Sequence, residues 1–482
     1  MRTELYIDGQ WREGGGDAFT SHDPASGDKV WQGRAANEDD VAEAMAAARL
    51  AFPAWSRRSP EERVAIVRAF GKAIEKRGEE IARTISREMG KALWDAKGEV
   101  QAMIGKIEIS IRAQAERAGF REEQAAFGAM TLSHRAHGVL AVFGPFNFPG
   151  HLPNGHIVPA LLAGNCLLFK PSEFTPAVGA LMIEAWDEAG LPAGVLNLLQ
   201  GGRETGAAVL DSHGLNGVLF TGSAHTGAII HKKFAGHPDV LLALELGGNN
   251  PLIAWPPVDA QAAANLIVHS AFATSGQRCS CARRLIVPEG KAGDDIIAAL
   301  AALTPKISAG FANQTPEPFM GPLVNAVAAE RAVKFEQGLI AMGGKSIVAV
   351  KREGALAYPG IVDVTGLSPP DEELFGPVLQ VYRVTDFDHA LDVANTTRFG
   401  LAGGLISDDP ALWARVKNEM RAGILNWNRP TTGASGAMPF GGPGLSGSLR
   451  PSAYYAADYV AYPVATQLSE KAASIPAPGL PA

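Results

Sequence analysis

Short apolar runs, each closed by Gly, Pro or Ser, alternate with helical spacing through the middle of the chain. Val139-Leu140-Ala141-Val142-Phe143 ends in Gly144-Pro145, and Cys166-Leu167-Leu168-Phe169-Lys170 ends in Pro171-Ser172. Val195 to Leu199 ends at Gly201-Gly202. Gly217-Val218-Leu219-Phe220 is followed by Thr221-Gly222-Ser223, and Leu241-Leu242-Ala243-Leu244 is a fifth run. Helices are predicted over Val178 to Ala189 and after Ser223. Apolar strands alternating with helices predict a parallel sheet covered on both faces. A second α/β series follows, with a helix over Ala262 to Ala273 and strands at Leu285-Ile286-Val287 and Val378 to Tyr382.

Residues 37–115 predict helices. Ser59-Pro60-Glu61-Glu62 is a start signal, with Ser as N-cap, Pro at the first helical position and Glu62 closing a capping box. Val64, Val67, Phe70 and Ile74 then recur at helical spacing, and Gly90 and Gly98 are expected to divide the later segments. Ala129 to Ser133 predicts a strand of moderate polarity, with Asp458 to Tyr462 as its expected partner strand. The Pro- and Ala-rich end, Ile475 to Ala482, is expected to fray.

Composition narrows the class. The chain has 482 residues, 46 % hydrophobic and 19 % charged, enough apolar material for a large core and too much for a disordered chain. A net charge of −7 suits a soluble protein and argues against a nucleic-acid or anionic-membrane binder. Cys166, Cys279 and Cys281 cannot form a disulfide framework, so a reducing, cytoplasmic setting is expected. The polar start, Met1 to Gly9, lacks the apolar stretch of a signal peptide. Gly138 to Phe169 holds no Asp, Glu, Lys or Arg. Pro145, Pro149, Pro153, Pro159, Asn147, Asn154 and Asn165 within it predict buried turns and short elements rather than a membrane span.

Four local features carry candidate chemistry. Cys279, in Ser275-Gly276-Gln277-Arg278-Cys279-Ser280-Cys281, lies in a polar loop between a helix and a strand. It reads either as an inert thiol or as a nucleophile whose thiolate is held by backbone amides or by a cation such as Arg278. Cys166, inside an apolar strand, reads as an inert buried thiol. Glu245 ends an apolar strand before Gly247-Gly248; it is either bonded to turn amides or a general base with a raised pKa. Asn147, in Gly144-Pro145-Phe146-Asn147-Phe148-Pro149, is either an Asx-turn residue or a donor to an oxyanion. The turn Gly222-Ser223-Ala224-His225-Thr226-Gly227 lets a dinucleotide phosphate approach a helix N-terminus, although it matches neither Gly-x-Gly-x-x-Gly nor a P-loop. No metal site is expected. Cys279-Ser280-Cys281 with one distant Cys lacks zinc spacing, and His151 and His156 lack a His-Glu-x-x-His pattern. Gly433 to Ala437 fails as a nucleophile elbow at its last position.

These features, in this order, resemble the aldehyde dehydrogenase superfamily from about residue 5 to 465. Lys170-Pro171-Ser172-Glu173, Gly276-Gln277-Arg278-Cys279, Glu373-Leu374-Phe375-Gly376-Pro377 and Pro439-Phe440-Gly441-Gly442 extend the match. The resemblance implies an α/β fold with a Rossmann-type NAD-binding domain (1–118 and 137–247), an α/β catalytic domain (248–449), a small β bridging element (119–136 and 450–470) and a tail (471–482). It also implies a homodimer or homotetramer. Cys279 would attack an aldehyde, Asn147 and the Cys279 amide would bind the oxyanion, and oxidation by NAD would leave a thioester. Glu245 would then activate water. Lys170 and Glu173 would hold the adenosine ribose, Glu373 the nicotinamide ribose, and Phe375 would pack beside the nicotinamide. A carboxylate at Glu173 would repel a 2′-phosphate and favour NAD.

The stretches Asn147 to Pro159, Gly248 to Ile253, Cys279 to Arg284, Asn426 to Pro430 and Ser448 to Tyr459 look like the bacterial N-succinylglutamate 5-semialdehyde dehydrogenases of arginine catabolism. The last of these departs from the general superfamily pattern. That resemblance implies a small semialdehyde substrate with two carboxylates, with Lys106, Arg112, Arg278, Arg429 and Arg450 as candidate counter-charges. Another carboxylated semialdehyde, an acyl-CoA-forming reaction or a non-catalytic dehydrogenase scaffold remain the alternatives.

Overall fold

The computed structural model describes residues 2–312 and 314–480 and is built on two seven-stranded sheets. The first runs in the order Leu241–Glu245, Gly217–Thr221, Val139–Phe143, Cys166–Lys170, Leu196–Leu198, Leu5–Ile7, Gln10–Arg12. Its first five strands are parallel, and the amino-terminal hairpin joins antiparallel at the edge. Val139–Phe143 and Cys166–Lys170 are buried at every residue, as continuous apolar runs demand when helices cover both faces. The helices Glu38–Ser56, Pro60–Lys76, Gly78–Met89, Leu93–Ala118, His151–Ala163 and Pro176–Glu188 share this sheet's core, where Trp186 stacks on Phe70 at 3.8 Å.

Ser59 caps its helix as expected, accepting from the Glu62 amide while Glu62 accepts from that of Ser59. Gly90 ends a helix in the left-handed region at φ 80°. Gly98 does not divide the next one; the helix continues from Leu93 to Ala118. Asp95, Ala96, Glu99, Val100 and Met103 are buried around it, and their packing outweighs one exposed glycine.

The charge-free stretch after Gly138 also needs correction, because it contains a full helix, His151–Ala163. Pro153 sits in the first turn, where an amide has no helical partner, and Pro159 is accommodated within the helix. Among the described residues, no helix is long and apolar enough to cross a membrane.

The second sheet runs Lys345–Val348, Gly360–Asp363, Val378–Val384, Ala282–Pro288, Asn250–Ala254, Ala402–Ile406, Ile424–Trp427. All neighbours are parallel except the first pair. A three-stranded antiparallel sheet joins Arg121–Ala125, Gly128–Ala136 and Ala461–Leu468. The carboxy-terminal strand therefore pairs with the segment near residue 130, but it begins at Ala461. Asp458 and Tyr459 belong to a helical turn, Ala456–Tyr459, that packs against the long helix Leu93–Ala118. The residues from Glu470 to Leu480 are exposed and outside regular structure; the last two residues of the expected frayed end lie outside the described residues.

Candidate active site at the seam between the sheets

The parallel strands of the first sheet end at Phe143, Lys170, Thr221 and Glu245, so the loops that follow share one edge. Strand order reverses at Val139–Phe143. The chain steps outward to Cys166–Lys170 and Leu196–Leu198, then returns to the other side with Gly217–Thr221. In open α/β sheets the crevice beyond such a reversal is where ligands bind. The Asn147 loop and the Gly222–Gly227 turn flank it. Beyond Glu245 the chain crosses directly into Asn250–Ala254 of the second sheet. Asn250 is paired with Ala282, which follows the Cys279 loop, so both candidate reacting groups lie at the seam.

The Cys279 loop is set by its backbone. Thr274, Ser275 and Gly276 take successive left-handed conformations, φ 53°, 57° and 73°. For the two non-glycine residues this costs roughly 1–2 kcal/mol each. Side chains hold the turn: Ser275 Oγ donates to the Gly321 carbonyl and Thr274 Oγ1 to Asp95. Gly276 must be glycine, since a Cβ there would lie 2.3 Å from the Gly376 carbonyl oxygen. Asn250 Nδ2 donates to the carbonyls of Cys279 at 2.7 Å and Cys281 at 2.8 Å, and its Oδ1 accepts from the Ala402 amide.

Asn147 is buried, and its Nδ2 donates to the Gln277 carbonyl at 2.9 Å, two residues before Cys279. Its loop is fixed from below. The amides of Gly150 and His151 donate to Glu99 Oε1 at 2.9 and 3.1 Å, and Glu99 Oε2 is paired with Lys91. Arg278 does not hold a thiolate, contrary to the sequence expectation. Its guanidinium donates to Asp95 at 2.8 Å and to Thr274 Oγ1 at 2.7 Å. Burial, together with the negative charges of Glu373, Glu245 and Cys281, pushes the Cys279 thiol up to about 12, and the cation that opposes this is Arg283.

Glu245 ends its strand fully enclosed. Oε1 accepts from the Ser452 amide at 3.0 Å, and Oε2 has no hydrogen-bond partner among the described residues. Burial holds its carboxyl well above the usual range, as a base working near neutral pH requires. The strand end is pinned by the segment that follows Gly441: Leu246 N donates to the Ser446 carbonyl, and Ser446 Oγ donates to the Gly247 carbonyl at 2.8 Å. Cys166 lies remote in its strand, buried, with its thiol raised to about 12 by desolvation.

The crevice residues fit a nicotinamide dinucleotide. Ser223 caps the helix Ala224–Lys233 by accepting from Thr226, and Ser223, His225 and Thr226 are exposed at its start, where first-turn amides favour an anion. Lys170 Nζ is buried, donating to the Gly201 and Pro171 carbonyls, with the exposed Glu173 carboxylate 3.9 Å away. From the second sheet, Glu373 lies against Gly247, where a Cβ would fall 1.6 Å from its Oε2. Its Oε1 is buried without a hydrogen-bond partner, 3.7 Å from Arg283, and burial raises the carboxyl to about 7. A ribose hydroxyl is the kind of donor that this orphaned oxygen lacks. Phe375 meets Phe146 edge-on at 5.9 Å.

The structure thus brings Cys279, Asn147 and Glu245 to one place and arrays Lys170, Glu173, Gly222 to Gly227, Glu373 and Phe375 around the adjoining crevice. Sequence reasoning missed Asn250, Asp95, Glu99 and Lys91. Asp95 and Glu99, four positions apart, share one face of the helix Leu93–Ala118, and Lys91 lies just before its start. Nothing local distinguishes Asn250.

The aldehyde dehydrogenase family model matches residues 11–462. The chain is 56 % identical to N-succinylglutamate 5-semialdehyde dehydrogenase 2 of Caulobacter vibrioides over 97 % of its own length and 96 % of that protein. It is 52 % identical to the N-succinylglutamate 5-semialdehyde dehydrogenase of Chromobacterium violaceum, over 96 % of each chain. Among solved structures, methylmalonate-semialdehyde dehydrogenase from Oceanimonas doudoroffii superposes with a TM-score of 0.92 at 26 % identity, covering 98 % of this chain and 99 % of that one. A thiol, an amide and a buried carboxylate meeting at the seam of two α/β sheets, within a match that spans nearly the whole sequence, place this chain in the aldehyde dehydrogenase family.

Proposed function

We propose that this chain is an NAD-dependent dehydrogenase that oxidises N-succinylglutamate 5-semialdehyde to N-succinylglutamate, in arginine degradation. The observation that carries the reading is the convergence of three groups: Asn147 bonded to the Cys279 loop, and Glu245 ending the strand that runs on into Asn250, itself bonded to the Cys279 carbonyl. The named relatives at 50–56 % identity supply the substrate.

Bound NAD supplies the two-electron acceptor for the aldehyde hydrogen. Cys279 Sγ adds to the carbonyl carbon as its proton passes to solvent water, leaving the charge on the carbonyl oxygen. The oxyanion is met by the Asn147 amide and the Cys279 backbone N–H, donors already fixed before reaction. Oxidation leaves the acyl group on sulfur as a thioester. Glu245 takes a proton from water, the resulting hydroxide attacks the thioester carbon, and the carboxylic acid departs as the thiol is restored. Lys170 and Glu173 are suited to the adenosine ribose, and Glu373 to the second ribose. A carboxylate at position 173 disfavours a 2′-phosphate, which supports NAD over NADP.

Three unpaired cysteines and the exposed outer strand Arg121–Ala125 support a cytoplasmic homo-oligomer that covers this edge. Incubation of substrate and NAD with and without coenzyme A tests the chemistry. Free N-succinylglutamate in both arms is expected, and acyl-CoA as the product would overturn hydrolysis. In Glu245→Gln, a pre-steady-state NADH burst should persist while steady turnover falls; loss of the burst would mean that Glu245 acts before the thioester.

A further inference from the structure

Behind Glu245 lies a cavity of about 40 Å³, room for a small polar group, whose wall includes Lys106, His151, His156, Glu245, Ser452 and Ala453. Lys106 is 2 % exposed. Among the described residues its one hydrogen bond runs from Nζ to the Ala453 carbonyl at 2.8 Å, and no carboxylate lies within 4 Å of it. Ala453 aims that carbonyl from a left-handed conformation, φ 59°, that a non-glycine residue resists. A buried ammonium without a counter-ion is rare, because buried charges are normally paired.

The other candidate cations differ from Lys106 in setting. Arg278 is committed to Asp95, and Arg112, Arg429 and Arg450 are exposed. His156 is engaged by Tyr459 and Thr221, and burial beside Lys106 pushes both His151 and His156 down to about 4, so they are neutral at pH 7. Lys106 is lowered to about 8 by burial and keeps its proton there.

We infer that this chamber is a carboxylate subsite and that Lys106 is the counter-charge for one of the two carboxylates of the substrate. The inference rests on the proposed substrate and deepens it. A carboxylate entering the chamber would face Glu245, and the ammonium offsets the added negative charge. The Nζ protons not given to Ala453 and the Nδ1 of His151, buried and without a partner, supply polar groups for its oxygens. Length and charge are then read together: the aldehyde reaches Cys279 while an acidic group is seated beside Glu245.

The test compares kcat/KM for N-succinylglutamate 5-semialdehyde and for butanal, an uncharged aldehyde, in the wild-type enzyme, Lys106→Met and Lys106→Gln. The Met variant removes an unpaired buried charge at nearly constant volume and should fold; the Gln variant keeps a donor for Ala453. The preference for the charged aldehyde should fall about 10- to 100-fold in both, mainly through KM. Calorimetric binding of N-succinylglutamate should weaken by a similar factor. A preference within twofold of wild type in a folded variant would overturn the inference while leaving the substrate assignment intact. A wild-type enzyme that takes both aldehydes equally well would sink the assignment and this inference with it.

Discussion

Lys91 and Glu99 form an ion pair at 2.7 Å, with neither side chain reached by solvent. Glu99 spends its other oxygen on the amides of Gly150 and His151, three and four residues past Asn147. Lys91 Nζ also lies 3.5 Å from the centroid of the Phe148 ring. The pair is thus an anchor for the loop that carries the proposed oxyanion donor. Lys91→Met leaves Glu99 charged and enclosed, which should destabilise the protein by about 3–5 kcal/mol. Urea unfolding measures that loss. An unchanged midpoint would show that the pair contributes nothing.

Asn147→Ala removes one donor from the developing oxyanion. It should lower kcat about 10²- to 10³-fold with little change in NAD affinity. Stopped-flow NADH formation and fluorescence titration of NAD separate the two quantities. Loss of NAD binding equal to the loss of rate would instead assign Asn147 a structural role.

Burial, with the neighbouring Glu373 and Glu245, pushes the Cys279 thiol up to about 12 and disfavours the thiolate. Alkylation by iodoacetamide should therefore accelerate about tenfold per pH unit from 7 to 9. A plateau below pH 8, read by mass spectrometry of the modified peptide, would contradict that environment.

Glu245 makes a stability prediction whose sign follows from its raised pKa. Below the unfolded carboxyl pKa the group is neutral in both states, so Glu245→Gln should change little. As pH rises above that value, the unfolded chain ionises first and the folded state is penalised. The Gln variant should then gain thermal stability over the wild type, increasingly as pH rises above the ordinary carboxyl range of about 4. A difference in Tm that does not change with pH would argue against the raised Glu245 pKa.

The parts of this arrangement legible in the sequence were local ones. Val139–Phe143 and Cys166–Lys170 could be read because strands buried on both faces are apolar without interruption. Ser59 and Glu62 announced a helix start through chemistry confined to one turn. The helix His151–Ala163 was hidden by Pro153 and Pro159, whose local preference tertiary packing overrides. Asp458 and Tyr459 looked strand-like because nothing in their own neighbourhood reports the helix they pack against. The site shows the same division. Cys279, Glu245 and Asn147 sit in recognisable turns and Lys106 is one of five candidate cations, whereas Asn250 bonds to a carbonyl 29 positions away and Lys106 is set apart from the other four only by its burial against a carbonyl 347 positions away.

The strand Gly128–Ala136 finds its partner in Ala461–Leu468, more than three hundred residues later. At ribosomal rates of roughly 5–20 residues per second, its central edge stays bare for tens of seconds during synthesis. The two large sheets can close in that interval, but the small one cannot. Nascent chains therefore hold an open hydrogen-bonding edge until Ala461 to Leu468 have been made. A neighbouring nascent copy can compete for that bare edge before its own partner strand exists.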